Sequence, residues 1–132
     1  MIKDFKIKTD SEETKVKGLS GGNIQKVVVG REFSSDADLL IVNQPTRGID
    51  VGAIEFIRKK IVKKRDEGNA ILLVSADLNE IMTLSDSLIV MYDGEIAGYF
   101  EDSKKVTEQE LGLYMLGAKK QSEDEIRRAI NE

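Results

Sequence analysis

The residues most suited to chemistry in this chain are Ser20-Gly21-Gly22, set just before an amphipathic run that starts at Asn23. Placed there, they could present free backbone N–H groups and the positive end of a helix to a phosphate. Glycine lets a backbone approach such a group closely, and the serine hydroxyl can donate to it. The same three residues also suit a plain helix N-cap, so both readings stand at this point. Downstream, the apolar run Leu39-Leu40-Ile41-Val42 ends in the neutral amides Asn43 and Gln44. Asp50 then precedes a second amphipathic run, which it can cap.

Composition narrows the chemistry. There is no cysteine and no histidine, which removes disulfides, thiolate nucleophiles, imidazole bases and the commonest metal ligands. Net charge is −4, from 20 basic and 24 acidic residues, against the basic balance of a dedicated nucleic-acid binder. A length of 132 residues suggests one domain or part of one, and an apolar content of 40% permits a largely aliphatic core. No apolar run approaches the roughly 18 residues of a membrane span, and the N-terminal residues are charged. The expectation is therefore a cytosolic chain without signal peptide or transmembrane helix.

The elements that must hold these residues follow from periodicity and capping. Phe5 and Ile7, alternating with Lys6 and Lys8, predict a short edge strand, with a loop from Thr9 to Lys17. A helix is expected from about Gly22 to Phe33, with Ile24, Val27 and Val28 on one face. Leu39–Val42 lacks polar alternation and predicts a strand buried on both faces of a parallel sheet. Val51 to Glu67 reads as a helix with Ile54, Ile57 and Ile61 in register, stopped at Gly68-Asn69. Ala70–Val74 predicts a second buried strand, and Asp77 caps a short helix through Leu84. Leu88–Tyr92 and Glu95–Phe100 flank Asp93-Gly94, the signature of a type I′ hairpin. Capping boxes at Thr107–Glu110 and Ser122–Glu125 open two further helices, the first reaching about Leu116. Strand, helix, strand, helix, hairpin, helix is an α/β order.

The spacing from Ser20 to Asn43, together with Pro45-Thr46-Arg47-Gly48-Ile49-Asp50, resembles the ATPase subunits of ABC transporters: signature motif, Walker B strand and D-loop. No stretch reads G-x-x-x-x-G-K-S/T, so the Walker A loop of that family is absent. The chain therefore resembles the C-terminal part of a RecA-like P-loop NTPase domain, with mostly parallel strands and a C-terminal hairpin. The resemblance covers residues 1–117 as a partial ABC ATPase domain, leaving 118–132 as a C-terminal helix or tail. The wording Gly21-Gly22-Asn23-Ile24-Gln25-Lys26 and Arg47-Gly48-Ile49-Asp50-Val51-Gly52-Ala53 is similar to importers of simple sugars. Gln44 before Pro-Thr-Arg-Gly looks more like the related nucleoside importers. In that group one polypeptide carries two ATPase domains, and this chain resembles the end of the second.

The resemblance implies roles. Ser20, Gly21, Gly22 and Gln25 would contact the ATP phosphates held by a second ATPase domain, and Asp50, in the D-loop, would face the dimer interface. The family places Asp then Glu where this chain has Asn43 and Gln44; the Asp holds Mg²⁺ and the Glu polarises the attacking water. Asn43 is thus a degenerate Mg²⁺ position and Gln44 a degenerate catalytic one. Ala76, in Leu72-Leu73-Val74-Ser75-Ala76-Asp77, stands where a histidine commonly contacts the γ-phosphate. With no intact catalytic set, the chain is expected to be inactive alone and to bind ATP and Mg²⁺ only weakly by itself. The implied partners are the second ATPase domain and transporter membrane subunits at the cytoplasmic face of the membrane, with no nucleic acid. Apolar faces left uncovered predict a homo-oligomer. A non-transport ABC ATPase of DNA repair or translation, and an inert structural module, are the alternative readings.

Overall fold

The computed structural model describes residues 2–131, which divide into two compact units, one ending at Ser75 and the other beginning at Ala76. In the first unit a 3-10 turn at Val16–Gly18 leads into α1 (Gly21–Phe33), β1 (Leu39–Asn43), α2 (Val51–Asp66) and β2 (Ala70–Val74). The strands pair in parallel, Leu39 opposite Ala70 through Asn43 opposite Val74. A parallel pair needs a crossover, and α2 supplies it. Its start is fixed by Asp50, whose side chain accepts from the Ala53 N–H, and its end by Gly68 at φ 98°.

Three expectations for this unit change. Phe5 and Ile7 lie in a tight turn rather than an edge strand. Lys6 takes φ 49°, and the Ile7 N–H donates to the Ile2 carbonyl at 3.0 Å. Both apolar side chains still go inward, and the Phe5 ring meets Phe56 edge-on with centroids 6.1 Å apart. The inner face of α1 is Gly22, Val29, Gly30 and Phe33; Ile24 and Val27 are half-buried and Val28 is exposed. Finally, β1 is buried on one face only. Leu40 and Val42 are covered, whereas Leu39 and Ile41 remain 54% and 67% exposed. In β2, Leu72 opposite Ile41 and Val74 opposite Asn43 are open as well. An unbroken apolar run tells that both faces can be buried, not that a layer is present on each.

The second unit contains α3 (Leu78–Leu84), β3 (Leu88–Tyr92), β4 (Glu95–Phe100), a 3-10 turn at Ser103–Lys105, α4 (Glu108–Met115) and α5 (Glu123–Asn131). The β3–β4 hairpin turns on Asp93 and Gly94 at φ 49° and 78°, as a type I′ turn requires, with a bulge between Val90 and Met91. Leu88, Val90, Ala97, Val106, Leu111 and Tyr114 form its core. Gly98 packs closely there, since a Cβ would sit 3.1 Å from the Tyr114 ring and 3.2 Å from the Phe100 ring. Thr107 caps α4 through the Glu110 N–H, and Ser122 and Glu125 cap α5 reciprocally. Gln121 ties the segment before α5 to β4: its side chain bridges the Tyr99 N–H and carbonyl, and its N–H donates to Ala97. No described helix is long and apolar enough to cross a membrane.

Candidate functional site

Seven of the eight residues expected at the site fall in the first unit: Ser20, Gly21, Gly22 and Gln25 on α1, Asn43 and Gln44 at the end of β1, and Asp50 before α2. Ala76 belongs to the second unit, ahead of the Asp77 cap of α3.

Ser20 is the N-cap of α1, and its Oγ accepts from the Asn23 N–H at 3.4 Å and from Asn23 Nδ2 at 3.0 Å. Asn23 Oδ1 in turn accepts from the Lys8 N–H at 3.0 Å, which holds the cap against the segment before it. The first intrahelical bond runs from the Ile24 N–H to the Ser20 carbonyl, so the N–H groups of Gly21 and Gly22 have no acceptor inside the helix. No acidic residue of α1 itself occupies its first turn, and the nearest carboxylate is that of Asp50, which lies on the Gly22 side of the helix end.

The two glycines have different reasons to be small. At Gly21, which is exposed, an added Cβ would meet nothing nearer than the Gly48 carbonyl at 4.0 Å. At Gly22, which is buried, it would lie 2.8 Å from Asp50 Oδ2 and 3.3 Å from the Ala53 Cβ. Gly22 therefore lets the N-terminus of α2 dock on α1, while Gly21 keeps an open approach to the helix end.

From Gln44 to Asp50 the chain forms a tight turn. Gln44 sits at φ 47°, its N–H donates to the Val74 carbonyl at 2.8 Å, and its carbonyl accepts from the Arg47 N–H at 3.2 Å. Left-handed backbone is costly for a residue with a Cβ and is held here by the fixed end of β2 and the buried Pro45 and Thr46. Gly48 at φ 71° completes the turn, which delivers Asp50 to its cap. Gln25 Nε2 donates to the Pro45 carbonyl at 2.8 Å. Sequence reasoning missed this bond and the left-handed Gln44; a glutamine reads only as a polar helix residue, and glutamine carries no left-handed signal.

The α1 end fits a phosphate: exposed Ser20 and Gly21, N–H groups without helical acceptors, and space for close approach. The β1 end fits Mg²⁺ poorly. Asn43 is exposed and neutral, and among the described residues no group of three potential metal-ligating acids exists. Neutral amides cannot supply the charged oxygen that Mg²⁺ favours.

No protein-family model matches the chain. Among curated proteins it is 49% identical over 118 residues to the guanosine import ATP-binding protein NupO of Bacillus subtilis, covering 89% of this chain and 23% of that protein. It is 45% identical over 117 residues to the nucleoside import ATP-binding protein NupA of Lactococcus lactis, with the same two coverages. To the glucose import ATP-binding protein TsgD13 of Haloferax volcanii it is 50% identical over 99 residues, covering 75% and 18%. The chain thus spans under a quarter of the length of these relatives. In fold it is similar to a dimeric bacterial ABC transporter cassette, with a TM-score of 0.66 at 24% identity, covering 74% of this chain and 42% of that one. It is likewise similar to an ATP-binding subunit of an ABC transporter, with a TM-score of 0.67 at 21% identity, covering 99% and 51%.

Proposed function

We propose that this chain, a member of the ABC ATPase family by sequence and by fold, serves the ATP-binding component of an importer for nucleosides or simple sugars. Its part is to present the N-terminal turn of α1 to the phosphates of an ATP held by a second ATPase domain. Ser20 supplies a hydroxyl, Gly21 and Gly22 supply N–H groups, Gln25 supports them from the next turn, and Asp50 faces the junction between the two domains. The observation that carries this reading is the open N-terminal end of α1 at Ser20 and Gly21, with N–H groups that have no helical acceptor and no acidic residue in the helix's own first turn.

On this reading the chain's own site is degenerate. Asn43 replaces the carboxylate that would hold Mg²⁺. Gln44 cannot take a proton from water, and Ala76 offers no donor to a γ-phosphate. ATP at such a site would act as a clamp, and hydrolysis would occur at the site that this chain's α1 completes for the other domain. The whole assembly would lie on the cytoplasmic face of the membrane, docked on membrane subunits. Ser20→Arg in the intact importer tests this. An arginine at the helix end should abolish transport-coupled ATP hydrolysis, and undiminished hydrolysis would overturn the reading.

A further inference from the structure

We infer that Gln25 is a positioning residue that joins the N-terminal turn of α1 to the 44–50 turn, so that these two arms of the site move as one body. The inference rests on the functional reading for its meaning and on three contacts for its geometry. First, the Gln25 amide donates to the Pro45 carbonyl at 2.8 Å. A carbonyl only accepts, so the amide nitrogen must be the group facing it. Second, the turn is pinned at its start, where the Gln44 N–H donates to the Val74 carbonyl at 2.8 Å. Third, its end is pinned at Asp50, whose carboxylate caps α2 while lying against the Cα of Gly22. Between those pins the backbone passes through left-handed Gln44 and Gly48. The Gln25 bond is a side-chain contact from α1 to the middle of that stretch.

The consequence is directional. A phosphate that draws the α1 end forward would pull on Pro45 through Gln25. That would shift Asn43 and Gln44 on one side and Asp50 on the other. Occupancy sensed at the signature end would thereby reach the chain's own degenerate site and the D-loop without any large movement.

The test is amide hydrogen exchange on the 132-residue chain in three forms: wild type, Gln25→Leu and Gln25→Glu. Glu keeps the length of the side chain, Leu is one atom shorter and apolar, and both lack the N–H donor at neutral pH. Both should speed exchange at Gln44 and Arg47, the hydrogen-bonded amides of the turn, at least tenfold and shift the amides of Gly21 and Gly22. Val90, in the other unit, should be unaffected. Near pH 4 the glutamate carboxyl becomes an O–H donor, roughly at its ordinary titration point. The Glu variant should then recover protection and the Leu variant should not, a split that a general packing role would not produce. Unchanged exchange at Gln44 and Arg47, or Glu and Leu variants that behave alike at both pH values, would overturn the inference. ATP-dependent association with a nucleotide-loaded ATPase domain, measured on the same proteins, should fall at least tenfold in both variants at pH 7. Should wild type fail to associate while the exchange pattern holds, the functional reading fails and Gln25 stands as the tie of the turn.

Discussion

Gly21 and Gly22 are neighbours with opposite demands, and substitution should separate them. Gly22→Ala would drive a methyl group to within 2.8 Å of the Asp50 carboxylate and 3.3 Å of Ala53. Such overpacking costs about 1–3 kcal/mol, so urea unfolding of the first unit should move by that amount. Gly21→Ala meets open space and should leave unfolding within about 0.5 kcal/mol of wild type. Gln44 offers the reverse case. Its left-handed backbone makes Gln44→Gly stabilising by roughly 0.5–1 kcal/mol, read as a raised urea midpoint with unchanged slope. A lowered midpoint would mean that Gln44 side-chain bonds outweigh the strain. Of these residues the sequence conveyed identity and spacing: Ser20 as a helix cap and Asp50 as another both appear in the structure. It did not convey why Gly22 must be glycine, because Asp50 lies far away along the chain and only the docking of α2 on α1 brings it near.

Local rules carried furthest where an element is defined by its own residues. The Asp93-Gly94 hairpin, the Asp77 and Thr107 caps and the Gly68 stop each depend on neighbours in sequence, and each is present. They failed where an element is defined by what lies over it. The open faces of β1 and β2, and the turn at Phe5–Ile7, are settled by layers and partners that periodicity does not encode. The α5 cap gives a pH prediction. Hydrogen bonds from the Ser122 N–H and hydroxyl hold the Glu125 carboxyl below the usual value near 4.5, with Arg128 adding a smaller effect. A proton thus binds Glu125 more weakly in the folded helix than in the unfolded chain. The cap's contribution is complete above the ordinary glutamate value and is lost as pH falls through the depressed one. Carbon chemical shifts of Glu123–Asn131 should therefore move towards coil values as pH falls below about 4.5, ahead of those of α4. Glu125→Gln should weaken the cap already at neutral pH and flatten that titration.

For the molecule as a whole, uncovered apolar surface is the dominant physical fact. Leu39, Ile41, Leu72 and Val74 line one face of the parallel pair in the first unit, and Ile89, Met91 and Leu116 are exposed in the second. Contiguous apolar surface of this kind drives association. The isolated chain should form concentration-dependent assemblies in light scattering, and the double substitution Ile41→Lys with Leu72→Glu should shift it towards monomer. A strictly monomeric wild-type chain would show that these side chains find cover within the chain in solution. The central claim is that this chain offers α1 to a nucleotide it does not itself hold. Calorimetry decides it most directly: ATP and Mg²⁺ titrated into the isolated chain, then into the chain mixed with an ATPase domain bearing a Walker A loop. The account predicts little binding to the chain alone and ATP-dependent association of the mixture, abolished by Gly21→Asp. Tight nucleotide binding by the isolated chain, or a mixture indifferent to ATP, would contradict it.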